Sequence, residues 1–351
     1  NAAVVANANI SSYGLTVANA SADIAVSTND KATLLIAQNG SVELGKFRIR
    51  ATNDDIMVKE LYATASGTKG TGSVSSDTLS RLIQTPTLVD AAGTVVAYGT
   101  VISNSGTAYI KFNNFVNSSF KIAKDTDAEL SINASVAKLG VSDSGIMVAM
   151  SAGVANGVDV DADSSNVADN AARLDGSIAV LTDADVGTST GTTKQDLITS
   201  GKLIVAAAGI SDAGAGKVKF TITNNGTDSV MVKNLYVSSS TGTVTLYKGE
   251  TASTSEMISS GAVSATNGAL IDVNSQSTKL EILAGQTVTI LADFDGIATG
   301  DNNTINTSVN DIAYFDKEQG DYATSAITSI KSYNGTGLPA STSFSRSAGT
   351  Y

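Results

Sequence analysis

The stretch IMVKELYAT (56–64) returns later in the chain as VMVKNLYVS (230–238). Met57/Met231, Val58/Val232, Lys59/Lys233, Leu61/Leu235 and Tyr62/Tyr236 stand in register. Within each copy the apolar residues first alternate, Ile56 then Val58 and Val230 then Val232, as they do on a half-buried strand. The next large apolar residue, Leu61 or Leu235, comes three positions on rather than two. One extra residue in an alternating run is the sequence form of a β-bulge. The bulge is expected around Lys59–Glu60 and Lys233–Asn234, with Ile56, Val58, Leu61, Val230, Val232 and Leu235 facing the core. The repeated lysine reads as a solvated bulge residue; the alternative is a Lys–Asn crosslink, which needs a buried lysine beside a carboxylate.

The repeat extends outward from the phrase. GKFRIRATNDD (45–55) answers KVKFTITNNGTDS (217–229), with Phe47 and Ile49 against Phe220 and Ile222 and one extra residue in the second turn. FKIAKDTDAELSINA (120–134) answers LEILAGQTVTILADF (280–294), which sets Ile122, Leu130 and Ile132 opposite Ile282, Ile290 and Ala292. Each unit shows two alternating runs around an Asn/Asp/Gly turn, a hairpin signature. A strand is expected ahead of each, YGLTV (13–17) and GSIAVL (176–181). SSDTLSRLIQ (75–84) and NVADNAARL (166–174) could each form one or two helical turns.

Composition agrees. The 351 residues include 32 glycines, two prolines and no Cys, His or Trp, and Ser and Thr supply about a quarter of the chain. Such chains favour short strands joined by polar turns. The expected fold is all-β: two tandem immunoglobulin-like β-sandwich domains with strand-forming terminal extensions. The divisions are an N-terminal arm at 1–12, sandwich 1 at 13–160, an Asp-rich linker at 161–175, sandwich 2 at 176–316 and a C-terminal strand-forming extension at 317–351.

The pattern GKF-I-AT-N-DD-I-V-KEL, followed by a strand pair and AGQTVTILADFDGI (284–297), resembles tandem Ig-like repeats of surface proteins from candidate phyla radiation bacteria. That resemblance covers about two thirds of the chain. It implies surface display and self-assembly as an S-layer or filament subunit, and carries over no catalytic residue.

Without His or Cys, Ser-His-Asp and Cys-His catalysis is excluded. A carboxylate-pair glycosidase has the residue types, but nothing marks one pair. A net charge of −11 and scattered Lys and Arg argue against nucleic acid as a partner. No apolar run reaches the ~20 residues of a membrane span. Starting at Asn1, the chain is expected to be processed or a fragment, and extracellular or at a cell surface.

The candidate metal site is DVDADSSNVADN (159–170), where Asp159, Asp161, Asp163, Asn166 and Asp169 offer oxygens from one loop to Ca²⁺. Ser164 and Asn170 replace the Gly and Glu of an EF-hand loop, so a solvated linker is the other reading. Asp183/Asp185 and Asp293/Asp295 repeat the D-x-D spacing more sparsely. No other cofactor is expected. Asn9, Asn19, Asn39, Asn117, Asn133, Asn225, Asn302, Asn306 and Asn334 open glycosylation sequons, close to the number that chance supplies.

Residues 1–28 are strand-capable and nearly uncharged. Such a segment either forms first strands of its own domain or adds a strand to a neighbouring copy. Val4, Val5 and Ile10 are the candidate assembly residues of that arm, and copies of the chain itself the expected partner, in a homopolymer. A surface adhesin or carbohydrate-binding module that takes surface glycans is the alternative function.

Overall fold

A computed structural model of the chain describes residues 20–104, 106–152, 172–176, 186–188, 191–212, 216–239, 242–263, 269–272, 280–295, 303–319, 326–327 and 329–346. In chain order the first strands are β1 (Ser21–Val26), β2 (Leu34–Ile36), β3 (Ser41–Thr52), β4 (Ile56–Lys69) and β5 (Gly72–Ser73). Helix α1 (Ser76–Leu82) follows, then β6 (Ile83–Asp90), β7 (Val95–Asn104), β8 (Thr107–Phe115), β9 (Phe120–Ile122), β10 (Asp127–Val136) and β11 (Met147–Ala152). Next come β12 (Ala172–Gly176), β13 (Val186–Thr188), β14 (Asp196–Thr199), β15 (Leu203–Asp212), β16 (Lys217–Asn224), β17 (Val230–Ser238) and β18 (Thr243–Lys248). The last are β19 (Met257–Ala262), β20 (Ala269–Asp272), β21 (Glu281–Ile282), β22 (Thr287–Asp295), β23 (Asn303–Asp316) and β24 (Ala340–Arg346). The chain is all-β, as its composition requires.

The repeated phrase forms β4 and β17, and the bulge falls on the lysine both times. Opposite β4, Arg173 pairs with Glu60 and Leu174 with Val58, which skips Lys59. Opposite β17, Tyr314 pairs with Val232 and Ala313 with Asn234, which skips Lys233. Because the extra residue absorbs the phase change, Ile56, Val58, Leu61, Val230, Val232 and Leu235 are all buried. Both lysines are half-buried rather than fully solvated, and the Lys233 ammonium lies 5.6 Å from the centroid of the Phe315 ring.

Cross-strand partners repeat too. Phe47 faces Leu130 and Phe220 faces Ile290, while Ile56 meets Ile122 and Val230 meets Ile282. The turn into β10 is left-handed at Asp125 (φ +56°), and the turn into β22 is left-handed at the equivalent Gly285 (φ +74°). Two copies of one backbone path are therefore built from equivalent residues.

The second unit packs the sheet β15-β16-β22-β18-β19 against β20-β17-β23-β24, with β21 also on β17. That is the A-B-E-D against C-F-G order of an immunoglobulin sandwich, with β19 and β20 added at the sides. The first unit sets β1-β3-β10-β6 in the A-B-E-D places and β4-β11-β14 in the C-F-G places. Its hairpin β7–β8 joins β6 to β4, so one sheet wraps the whole first core. The two cores centre on Phe47, Ile49, Ile110 and Phe112, and on Phe220, Ile222, Phe294 and Tyr314.

Strand placement differs from the expected divisions in three places. The A positions are held by β1 and β15; YGLTV lies outside the described residues, and of GSIAVL only Gly176 is described, ending β12. Residues 172–176 and 186–199 add β12, β13 and β14 to the first sheet, so hydrogen bonding carries the first unit past residue 175. Ala172–Leu174 are extended rather than helical, because β4 offers them an antiparallel edge from Leu61 to Val58. SSDTLSRLIQ does contain a helix, α1, whose N-cap Ser75 hydroxyl accepts from the Thr78 N–H at 3.3 Å. In the C-terminal extension, β24 pairs with β23 of its own chain.

Candidate functional site

The two units meet at β2 and β14. These strands run parallel, Leu34 beside Leu197, Leu35 beside Ile198 and Ile36 beside Thr199, and all seven of their residues are buried. Alternation sorts their side chains between the two cores. Leu35 and Ile198 enter the first core, while Leu34, Ile36 and Leu197 enter the second. A strand buried on both faces needs an unbroken apolar run, and LLI and LI supply one.

After β14 the chain turns at Thr199–Gly201 and enters β15. Gly201 is required there: a Cβ would come within 2.1 Å of Val230 Cγ1, the first residue of the repeated phrase, and 2.9 Å of Asp316 Oδ1. The turn between β16 and β17 docks on the same joint. The Thr227 hydroxyl donates to the Ala37 carbonyl (2.8 Å), and the Thr227 N–H donates to the Ser200 carbonyl (2.8 Å). This is the turn that carries the extra residue of the second copy, so the difference between the copies lies where the units touch.

Asp316 ends β23 and is fully buried in the joint. Its carboxyl accepts from the Ser144 hydroxyl of the first unit, from the Thr199 hydroxyl at 2.8 Å and from the N–H groups of Ser200 and Gly201, each at 2.9 Å. The buried Tyr314 hydroxyl bonds the Thr199 hydroxyl at 2.9 Å. Burial pushes the Asp316 carboxyl above its ordinary range, and these donors pull it partway back. One side chain thus ties together both units and the segment between them.

Asp196, at the start of β14, accepts from the Thr33 N–H (2.7 Å) and hydroxyl (3.1 Å) through one oxygen. Burial, with Asp30 and Glu43 nearby, pushes its carboxyl up to about 8. Asp30 accepts from the Lys46 N–H at 3.1 Å and from the Lys194 N–H, and burial raises it as well. Above these groups opens a cleft of about 650 Å³. The first unit lines it with Asp30, Lys31 and Ala32, the joint with Lys194, and the second unit with the loop from Lys331 to Leu338. Lys31, Lys194 and Lys331 are exposed, and none forms an ion pair among the described residues. Tyr333 is half-buried at its wall, where desolvation and the Asp196 charge raise its phenol. Ammonium, phenol, amide and carboxyl groups converge here, groups able to hold a ligand.

The sites read from sequence fall elsewhere. Val4, Val5 and Ile10, and likewise Asp159, Asp161, Asp163, Asn166 and Asp169, lie outside the described residues. Asp293 is half-buried and pairs with Lys217 at 3.7 Å, and Asp295 is exposed on the same strand. Asn39, Asn117, Asn225 and Asn334 are exposed, while Asn133 sits half-buried on β10. The joint and the cleft leave no local pattern because their groups come from distant segments, 172 residues apart for Ser144 and Asp316 and 190 for Ala37 and Thr227. The unbroken triplet LLI was the available signal.

No protein-family model matches the sequence, and no curated protein matches it. Among solved structures, the chain is similar to the C-terminal domain of the Streptococcus agalactiae AgI/II polypeptide BspA. That match has 8% identity and a TM-score of 0.21, and covers 84% of this chain and 95% of that one. The serine-rich repeat adhesion glycoprotein Srr1 of S. agalactiae matches at 9% identity and a TM-score of 0.18, over 94% of this chain and 96% of that one. BcpA, the major pilin subunit of Bacillus cereus, matches at 12% identity and a TM-score of 0.20, over 91% of this chain and 68% of that one.

Proposed function

We propose that the chain is a non-enzymatic structural subunit of an extracellular filament or surface layer, joined to copies of itself by β-strand exchange. The observation that carries this reading is the state of the sheet edges. The five-stranded sheet of the second unit ends in β15 and β19, which have no outer strand partner among the described residues. Each edge carries an exposed large apolar residue, Ile210 (46% exposed) on β15 and Met257 (38% exposed) on β19. On β15 the Val205 N–H is already taken by the Thr336 carbonyl, so the stretch around Ile210 is the one left for a further strand, and apolar residues on such an edge favour its addition. The uncharged segment Asn1–Ser12 has the composition of a donor. A head-to-tail contact of this kind propagates into a polymer when its rotation does not close.

The missing histidines and cysteines and the fixed joint support a scaffold rather than a catalyst. The resemblance to the tandem-repeat proteins of candidate phyla radiation bacteria, with their display at a cell surface, belongs to this proposal, as does Ca²⁺ on Asp159, Asp161, Asp163, Asn166 and Asp169. Electron microscopy of the purified chain tests it. Polymers are expected from the intact chain, and monomers from chains that lack residues 1–12 or carry Ile210→Lys and Met257→Lys. Normal polymers from both variants would overturn strand exchange. A second reading, a surface adhesin, is favoured by the lysine-lined cleft between the units.

A further inference from the structure

We propose that this cleft binds a short acidic saccharide through Lys31, Lys194 and Lys331, a ligand class that rests on the adhesin reading and deepens it. The first observation is charge segregation. A chain of net charge −11 gathers three lysines at one cleft and leaves their ammonium groups without a carboxylate partner among the described residues. The carboxyl groups at this end of the joint are engaged by backbone: Asp30, which lines the cleft, holds the Lys46 and Lys194 N–H groups, and Asp196 holds Thr33. They fix the loops that carry the lysines, and only Lys194 feels the charge of Asp30.

The second observation is the make-up of the wall. Tyr333 packs against the second core and lines the cleft with a half-buried side chain that offers apolar surface and a phenol, and Ser332 and Asn334 add exposed polar side chains. The loop is held in place by the Asn334 N–H on the Ala32 carbonyl (3.2 Å), the Val205 N–H on the Thr336 carbonyl (2.9 Å) and the Ile330 N–H on Asp311 (2.9 Å). A preorganised wall lowers the ordering cost of binding. At about 650 Å³ the cleft has the size of a small-ligand site, enough for a few sugar rings. The overall negative charge repels a long polyanion, which selects for a ligand with few acidic groups over nucleic acid.

The test is calorimetric titration of the intact chain with four probes: tetragalacturonate, a keratan sulfate tetrasaccharide, neutral maltotetraose and a single-stranded DNA octamer. Either acidic tetrasaccharide is expected to bind one to one and about tenfold or more tighter than maltotetraose, with affinity falling as salt rises. The carboxylate and sulfate arms distinguish the two sources of acid. The triple variant Lys31→Gln/Lys194→Gln/Lys331→Gln should fall to the neutral level, and the triple Lys→Arg variant should retain binding. Lys124→Glu/Lys138→Glu, exposed lysines away from the cleft, should change little. Equal binding of maltotetraose through the cleft would overturn the acidic class and leave the adhesin reading standing. Binding that the Gln variant does not weaken, or tighter binding of the octamer, would overturn the proposal. No saturable binding of any probe would overturn both the proposal and the reading of the cleft as a ligand site.

Discussion

Asp316 shows how a chain without histidine or cysteine secures a buried joint. A carboxyl taken out of water costs several kcal/mol, and its donors offset that cost only while all of them are present. Asp316→Ala leaves the Ser144 and Thr199 hydroxyls and the Ser200 and Gly201 N–H groups buried without their acceptor. We expect a loss of about 3 kcal/mol or more in denaturant unfolding. Gly201→Ala drives a Cβ into Val230 and should cost about 1–3 kcal/mol in the same assay. Asp196 adds a pH dependence. Its carboxyl ionises near 3.8 in the unfolded chain and about 8 in the folded one, so between those values the folded chain keeps a proton that the unfolded chain has lost. Stability from this group is therefore complete at acid pH and declines as pH rises through that window. Tm should be higher at pH 5 than at pH 8, and Asp196→Asn should flatten the profile.

Among the elements, β4 and β17 show what one inserted residue does. Lys233 has no strand partner in β23, and because it bulges out of the ladder Leu235 and Val237 stay on the core face. Deleting Lys233 restores strict alternation with Leu235 and Val237 still on the core face, so it should cost about 1–2 kcal/mol, the loss of the bulge's local bend rather than of core burial. Lys233→Ala keeps the count and should cost about 1 kcal/mol or less, the value of one cation–π contact. Chemical denaturation of both variants separates the two effects. The phase of these strands was legible because period-two burial writes itself into local sequence. The pairing of Phe47 with Leu130 and of Phe220 with Ile290 was legible because the repeat wrote it twice. The short strands β2 and β14 were not. Three or four residues carry too little pattern to read, and their partners come from more than 160 positions away. The cleft lysines share that difficulty, since spatial convergence across the joint leaves no spacing in the chain.

At the scale of the whole molecule, the two sandwiches are linked by more than their connecting segment. β14 completes the first sheet through β11 and β2 while sending Leu197 into the second core, and Asp316 fastens the second unit to Ser144 of the first. A filament or surface layer benefits from a fixed angle within each subunit, and an adhesin benefits from a cleft whose two walls do not drift apart. Both proposed functions therefore rest on the joint. Scanning calorimetry of the intact chain, compared with Asp316→Ala, tests it most directly. One cooperative transition in the intact chain, and separation into two in the variant, is the result expected. Two independent transitions in the intact chain, at positions that Asp316→Ala leaves unchanged, would contradict a joint that makes the two sandwiches one body.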